Sequence, residues 1–403
     1  MAMSLPRRAL LAAVPAALAR PSLLRAQSKT PIRIGEINSY SNQPEFTEPY
    51  RKGWQMALAR LNDSGGVDGR KVEILARDDG GKPENAVRLA AELAGDDKVD
   101  LLAGGYLSNV GLAISSYALQ AKKLYVASEP LTDALTWDKG NRYTYRLRPS
   151  TYMQAAMLVE EAAKLPAKTW VTVAPNYEYG QSAVKWFKQL LSARRPDVRF
   201  VGEQWPALGH LDAGPVVGAL GQPAPDAIFN ALFGSDLLAF VRQGNSRGLF
   251  EKRSVVSLLT GEPEYLDPLG DETPTGWIVT GWPWSLSDQP DSKQFVADYT
   301  ERYHEPPRMG SVVGAALVSA IASGLAKSGS TDTETMADGF GDAAFNTAFG
   351  LCRFRAIDHQ STLGTYVGRL AKQGSRGGMV DWRYVDGASV MPPDATVRTL
   401  RPS

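Results

Sequence analysis

Short apolar runs alternate along the chain with longer segments in which apolar residues recur every three or four positions. Runs of the first kind predict buried strands, and the longer period predicts helices with one buried face. In one predicted helix, Trp54, Leu58 and Leu61 fall on the same face. The predicted strands span residues 31–37, 71–76, 99–103, 124–127, 143–146, 169–174, 199–203, 227–231, 255–259 and 277–280, with strand-like segments at 365–370 and 382–385. The predicted helices span residues 49–62, 83–93, 108–120, 151–165, 178–193, 214–220, 235–244, 292–303 and 311–327.

The alternation of strand and helix begins again after residue 150, so the chain contains two successive blocks. Strands separated by helices favour parallel sheets with helices on both faces. A length of 403 residues also exceeds what one hydrophobic core usually supports, roughly 250–300 residues. The pattern therefore predicts an α/β protein with two similar lobes.

The N-terminus has the features of an export signal. Arg7 and Arg8 precede an apolar stretch that reaches Ala19, which is about half as long as the roughly 20 residues of a membrane-spanning helix. Paired arginines at this position are typical of the twin-arginine secretion route. We predict a signal peptide over residues 1–26 and a periplasmic mature protein, the alternative being a disordered N-terminal extension.

Charge and cysteine content narrow the possible functions. Removal of residues 1–26 takes away four arginines and no acidic residue, which lowers the formal net charge from +1 to −3. The mature chain therefore does not indicate binding to nucleic acid or to an anionic membrane. Cys352 is the one cysteine in the sequence, so it has no intrachain disulfide partner, and we expect it to be a small buried residue. The apolar segment 312–325 is interrupted by glycine and serine, which favours a core helix.

The passage over residues 62–74 predicts a helix end, a glycine-rich turn and a strand, and it leads to the acidic pair at 78–79. It resembles the substrate-binding proteins of ABC importers for branched-chain amino acids, the leucine/isoleucine/valine-binding type. In that family the pattern N-x-x-G-G-v-x-G-r-k-i, followed by a strand and x-D-D, is very common. Tyr179-Gly180 and Pro225-Asp226 match further sequence motifs of this family. The resemblance extends from Ile32 to about Arg369.

The resemblance implies the type I periplasmic binding protein fold. In this fold two Rossmann-like lobes, with parallel sheets flanked by helices, are joined by a three-segment hinge. The first lobe would comprise residues 31–148 and 284–345, and the second lobe residues 149–283 and 346–403. The chain would cross between the lobes near residues 147–150, 280–284 and 344–349.

Catalytic motifs are missing from the sequence. His210, His304 and His359 show no metal-ligand spacing, and neither a G-x-S-x-G elbow nor a phosphate-binding loop occurs. We therefore expect no enzymatic activity, no metal and no cofactor, although scattered side chains that meet in the fold are not excluded by sequence.

Ligands of open α/β sheets bind at the carboxyl ends of strands, beside helix N-termini. Tyr106 and Ser108 follow the strand at 99–103. The Ser108 hydroxyl and the free N–H groups of the next helix favour a carboxylate, although a simple N-cap explains the same serine. The resemblance implies that Ser108 holds the ligand carboxylate.

The following junction departs from the family pattern. Glu129 and Pro130 follow the strand at 124–127, where the family usually reads s-p-x-A-T. Glu129 stands where the family has a small residue, and Leu131 stands where it has a residue with a hydroxyl group. Glu129 would either turn away from a ligand carboxylate or accept a hydrogen bond from an amine or hydroxyl. Tyr40, which follows the first strand, would either reach the cleft or turn the chain.

In the second lobe the resemblance points to Thr151, Tyr179, Phe233 and Glu262. Thr151 caps its predicted helix and stands where the family often has an aspartate for the ligand amine. Tyr179 would stack on the ligand, unless it is a core tyrosine with a satisfied hydroxyl. Phe233 would form an aromatic wall. Glu262 would pair with the ligand ammonium, unless it is a solvated loop residue.

These expectations describe an extracytoplasmic solute-binding protein of an ABC importer. Its ligand would be a small amphipathic molecule, first an apolar or branched-chain amino acid, and its partners would be the ABC permease subunits. We expect a monomer. The alternatives are an aromatic or other organic acid or an amide on the same fold, a ligand-sensing regulator, or an exported hydrolase.

Overall fold

The computed structural model describes residue 1, residues 29–286 and residues 288–401. The predicted signal peptide lies outside the described residues, apart from Met1. The remaining chain folds into two lobes, each with one large sheet flanked by helices.

The first lobe contains a five-stranded parallel sheet with the strand order β2-β1-β3-β4-β5. The strand order reverses between β1 and β3, and a crevice for ligands forms at the carboxyl ends of strands at such a point. The elements of this part are β1 (Ile32–Asn38), α1 (Pro44–Asp63), β2 (Val72–Asp78), α2 (Pro83–Gly95), β3 (Leu101–Gly104), α3 (Ser108–Ala121), β4 (Tyr125–Ala127) and β5 (Thr144–Arg146).

The second lobe repeats this order in the strands that come next along the chain. They are arranged β7-β6-β8-β9-β10, and all are parallel, so the order reverses between β6 and β8. The elements are α4 (Thr151–Ala162), β6 (Thr169–Val173), α5 (Glu178–Arg194), β7 (Arg199–Gln204), α6 (Ala213–Gly221), β8 (Ala227–Asn230), α7 (Gly234–Ser246), β9 (Ser254–Gly261), α8 (Pro263–Leu269) and β10 (Ile278–Gly281).

The chain then returns to the first lobe before it completes the second sheet. A hairpin near the C-terminus pairs antiparallel with β10, so this edge of the second sheet is not parallel. The elements are α9 (Pro290–Tyr303), α10 (Met309–Ser328), α11 (Thr333–Gly339), β11 (Ala344–Thr347), β12 (Gly350–Arg353), β13 (Thr365–Gln373), β14 (Arg376–Val385) and α12 (Asp394–Leu400).

Helix α10 packs closely against α1. The backbones approach so tightly that a Cβ atom on Gly314 would lie 2.1 Å from the carbonyl oxygen of Tyr50. Among the described helices α10 alone is long and apolar enough to span a membrane, but most of it is buried inside the protein. The expectation of a core helix is confirmed, and so is the burial of Cys352.

The position of the third passage between the lobes, predicted near residues 344–349, remains a prediction. Strand β11 in this segment forms a hairpin with β12, and the Ala344 carbonyl accepts a hydrogen bond from α10. Phe349 packs against Tyr366 and Tyr384 of the second sheet. The following segment still pairs with β5, since Ser361 N donates to the Arg146 carbonyl over 2.9 Å. The chain joins the second sheet only at β13, and Arg401 near the C-terminus again contacts the first lobe. The finer lobe boundaries remain a prediction.

Candidate functional site

The two points of strand-order reversal face one cleft between the lobes. A small cavity with about 20 Å³ of internal volume lies there, far below the roughly 300–1,000 Å³ of sites for drug-sized ligands. In this conformation side chains therefore fill most of the cleft, and a ligand would need the lobes or the lining side chains to move. The residues that line it are Tyr106, Ser108, Glu129, Leu131, Arg148, Tyr177, Tyr179, Phe233 and Leu259.

Four aromatic rings line the cavity. The rings of Tyr106 and Phe233 meet across the cleft with their centroids 6.2 Å apart, and Tyr179 lies 5.6 Å from Phe233 in an edge-on arrangement. The Tyr179 hydroxyl is buried and has no hydrogen-bond partner. The alternative that Tyr179 is a core tyrosine with a satisfied hydroxyl is therefore wrong. Its hydroxyl remains available to bond to a ligand.

A buried arginine lies between two carboxylates at the centre of the cleft. Arg148 Nη1 donates to Glu129 Oε2 over 3.1 Å, and Arg148 Nη2 donates to Glu262 Oε1. All three side chains are almost fully buried. The second oxygens, Glu129 Oε1 and Glu262 Oε2, have no partner. Each glutamate therefore keeps one buried acceptor that is available to a donor.

Burial controls the ionisation of this centre. It raises the pKa of Glu129 to about 8 despite the charge of Arg148, and it also raises the pKa of Glu262. Burial and the charge of Glu262 raise the pKa of Glu264, which lies beside this centre, to about 8. Burial opposes ionisation of Arg148, but Glu262 and Glu129 outweigh it and raise its pKa. One positive charge therefore lies among three carboxyl groups whose pKa values are raised by burial.

The N-terminus of α3 also reaches the cleft. Leu107, with extended backbone, is the N-cap, and Ser108 is the first helical residue, so the predicted cap at Ser108 is wrong. The Ser108 oxygen instead accepts from Thr132 N over 3.2 Å, which leaves its hydroxyl proton available. The first N–H groups of a helix have no intrahelical acceptor, so this end of α3 favours a negatively charged group.

Thr151 does not line the cavity. Ser150 is the N-cap of α4, because its hydroxyl accepts from Met153 N over 3.1 Å, so the predicted cap at Thr151 is wrong. The Thr151 hydroxyl bonds to Asp133 and to Ser182 instead. These partners hold its side chain away from the cavity.

Tyr40 and Pro130 also lie outside the cavity wall. The Tyr40 hydroxyl donates to Glu36 Oε2 over 2.8 Å and belongs to the buried interior of the first lobe. Pro130 packs against α3 so closely that a Cβ atom on Gly111 would lie 2.3 Å from its Cγ. Pro130 therefore supports α3 and the Glu129 backbone from behind.

The structure brings Tyr106, Ser108, Glu129, Tyr179 and Phe233 together around the cavity, with Glu262 directly behind Arg148. Their roles as ligand contacts remain predictions. Sequence reasoning missed Arg148, Tyr177 and Leu259 as cavity residues. Arg148 lies within the predicted first passage between the lobes, but its position alone did not indicate contacts with Glu129 and Glu262.

Comparisons with known proteins show which family has this architecture. A family model described as periplasmic binding protein matches residues 31–375. The chain belongs to the periplasmic binding protein family. This periplasmic binding protein is 24% identical over 302 residues to Leu/Ile/Val-binding protein homolog 7 of Brucella abortus, with 71% of this chain and 74% of the relative covered. The membership implies a periplasmic location and a place among ABC-transporter solute-binding proteins.

Two solved structures share the fold of this periplasmic binding protein. One is an ABC-transporter solute-binding protein from Rhodopseudomonas palustris BisB5 in complex with 3,4-dihydroxybenzoic acid (TM-score 0.80, 21% identity, 89% of this chain and 98% of that chain covered). The other is an ABC-type branched-chain amino acid transporter protein from Rhodopseudomonas palustris CGA009 (TM-score 0.71, 22% identity, 90% and 98% covered). The expected type I fold with two lobes is confirmed.

Proposed function

We propose that this periplasmic binding protein captures an apolar amino acid in the cleft and delivers it to an ABC permease. The observation that carries the proposal is the pair of unpartnered oxygens on Glu129 and Glu262, beside a cavity walled by aromatic rings. A buried acceptor without a donor is costly, so a ligand that supplies N–H or O–H groups there gains affinity. An ammonium group supplies three donors and a positive charge.

The remaining groups fit the other parts of an amino acid. The Ser108 hydroxyl and the first N–H groups of α3 would hold the carboxylate. The rings of Tyr106, Tyr177, Tyr179 and Phe233 would enclose an apolar side chain. Ionised Glu129 would favour a zwitterion over a simple anion, because the ammonium group offsets its charge. Since burial raises the pKa of Glu129 to about 8, this preference strengthens as the pH rises.

The second candidate is a hydroxylated aromatic acid. The unpartnered Tyr179 hydroxyl and the aromatic walls favour it, and a relative of the same fold binds 3,4-dihydroxybenzoic acid. A phenolic hydroxyl would donate to Glu129 in place of the ammonium. The departures at Glu129 and Leu131 from the amino-acid-binding pattern would then reflect this specificity.

We further propose that the protein is exported through the twin-arginine route, acts as a monomer and performs no catalytic step. The lobes would close on the ligand by hinge motion, since a ligand that contacts both lobes favours the closed population. The closed form would dock on the permease.

A thermal-shift panel on protein that was unfolded and refolded to remove bound ligand tests the proposal. Matched pairs separate the ligand classes: leucine against its keto acid, phenylalanine against phenylpyruvate, and 4-hydroxybenzoate against benzoate. A ligand at about 100 times its dissociation constant adds roughly 2.7 kcal/mol of stability. We expect the amino acids to raise the melting temperature and their keto acids to leave it unchanged.

The variant Glu262→Gln should abolish most of the shift with leucine, because it removes a charged acceptor at the ammonium site. Glu272→Gln is the matched control, since Glu272 forms an exposed pair with Arg242 on the same lobe. Stabilisation by 4-hydroxybenzoate alone would replace the first candidate by the second. No stabilisation by either class would refute both.

A further inference from the structure

A carboxylate of the second lobe caps a helix of the first lobe. Glu264 belongs to α8, which follows β9 at the carboxyl edge of the second sheet. Its Oε1 accepts from Gly310 N over 2.7 Å and its Oε2 accepts from Met309 N over 3.2 Å. These N–H groups open α10, where a helix has no internal acceptors of its own. Both ends of this contact are buried.

The two contacting elements, α8 and the start of α10, are each packed tightly into their own lobe. A Cβ atom on Gly310 would lie 2.4 Å from the carbonyl oxygen of Phe46. The first turn of α10 therefore packs in direct backbone contact with α1. On the other side Pro263, Tyr265 and Leu266 of α8 are buried in the second lobe. A rigid separation of the lobes would therefore break both hydrogen bonds to Glu264.

A second, more exposed pair joins the same two elements. Asp267, one turn further along α8, lies 3.2 Å from the guanidinium of Arg308, the residue before α10. Within the first lobe the cap is only partial, because the Ser311 hydroxyl accepts from Arg308 N but from neither Met309 N nor Gly310 N. Glu264 thus supplies the acceptors that the N-terminus of α10 lacks, and Asp267 adds an ion pair beside it.

The cap and the cavity share one short turn. Glu262 contacts Arg148 beside the cavity, and Glu264 contacts α10 two residues later, with Pro263 between them. Phe46 contacts both regions, since its ring lies 5.5 Å from the Arg148 guanidinium and its carbonyl lies against Gly310. The cap therefore lies directly beside the residues that border the cavity.

We propose that Glu264 is a positioning residue that holds the closed form by capping α10 across the cleft, and so gives the protein a closed population even without ligand. The proposal rests on the proposed function only in assuming that the lobes separate. Breaking the cap favours the open form because the α10 N–H groups can then bond to water instead.

Electron–electron distance measurements on ligand-free protein test this directly. Spin labels at Lys82→Cys and Ala207→Cys, two exposed positions at the facing edges of the two sheets, report the opening of the cleft. Cys352 is buried and burial raises its pKa to about 11, so it should react slowly with the label. At pH 9, above the pKa of about 8 that burial gives Glu264, we expect two distance populations in the parent. In Glu264→Gln we expect a closed-to-open ratio about tenfold lower, the size expected for charge-assisted hydrogen bonds.

Two further variants complete the test. Asp267→Asn should shift the ratio in the same direction by a smaller factor, and it keeps the test decisive if Glu264→Gln does not fold. Glu272→Gln should leave the ratio unchanged. The melting temperature of the ligand-free protein should fall only slightly in Glu264→Gln, because the open form lacks the cap and keeps its stability.

A parent protein with no closed population, or a ratio unchanged in Glu264→Gln and Asp267→Asn, would overturn the proposal. A large fall in ligand-free melting temperature with an unchanged ratio would assign Glu264 a merely structural role. Because no ligand is added, failure of the thermal-shift panel would leave this result intact, and the two proposals fail separately.

Discussion

Arg148 shows how a single buried side chain can organise a site. Its guanidinium pairs with Glu129 of the first lobe and Glu262 of the second. A buried ion pair adds little net stability by itself, but removal of one partner leaves an uncompensated charge in the interior. Arg148 therefore permits two carboxylates to remain in the cleft, where their free oxygens are available to a ligand.

Arg148→Met should destabilise the protein by about 3–5 kcal/mol at pH 8, the usual cost of breaking a buried pair from one side. The loss should be smaller at pH 6, because the pKa of Glu129 is raised to about 8 and this carboxyl is then largely protonated. Urea unfolding at the two pH values measures this. The control Arg142→Met removes an exposed pair with Glu334 and should cost less than about 1 kcal/mol. Equal losses in the two variants would contradict the role of Arg148.

Glu36 is a second buried carboxyl group at the residue scale. Burial raises its pKa to about 8, although hydrogen bonds from Tyr40 and neighbouring groups and the charge of Arg51 oppose the shift. A carboxyl whose pKa is raised in the folded state binds protons more tightly there than when unfolded. Its contribution to stability is full below about pH 4.5 and is lost as the pH rises to about 8.

Glu36→Gln should flatten the fall in stability between pH 4.5 and pH 8 by about 3–5 kcal/mol. Chemical unfolding over this range measures the slope, and Glu73→Gln, in an exposed pair with Arg33, should leave it unchanged. A slope in Glu36→Gln that equals the parent's slope would refute the assignment of a proton to Glu36 in the folded state.

At the scale of elements, the sequence pattern located the strands and helices well but not all of their ends. Helix α1 begins at Pro44 and not at Pro49, which lies inside it. Proline suits the first turn of a helix, so two prolines five residues apart gave two possible starts. At α3 and α4 the true caps, Leu107 and Ser150, precede the predicted ones by one residue. Which side chain caps a helix depends on backbone angles that periodicity does not reveal.

The contact between α1 and α10 depends on glycine. Gly314→Ala should destabilise the protein by about 1–3 kcal/mol, because the new methyl group would lie 2.1 Å from the Tyr50 carbonyl oxygen. Gly95→Ala is the matched control, since nothing lies within 4 Å of its added Cβ atom and alanine favours helix. Thermal unfolding compares the two. A Gly314→Ala protein as stable as Gly95→Ala would show that α10 shifts without cost.

At the scale of the whole molecule, the repeated alternation of strand and helix was enough to predict two α/β lobes. It could not place the third passage between them, because the β11–β12 hairpin and the segment that pairs with β5 make long-range contacts without a local signature. Long-range contacts also explain why only part of the candidate site was predicted. Tyr106, Tyr179 and Phe233 follow strand ends and were predicted. The role of Arg148 depends on its contacts with Glu129 and Glu262, which form only in the folded protein.

The central claim is that the cleft binds a ligand through a positive group held by Glu129 and Glu262. Isothermal titration of leucine and of 4-hydroxybenzoate into ligand-free protein at pH 6 and pH 8 tests it most directly. As the pH rises towards 8, the pKa of Glu129, this carboxyl ionises, so the affinity for leucine should rise about tenfold. Binding of 4-hydroxybenzoate but not leucine, or leucine affinity that does not change with pH, would contradict the claim.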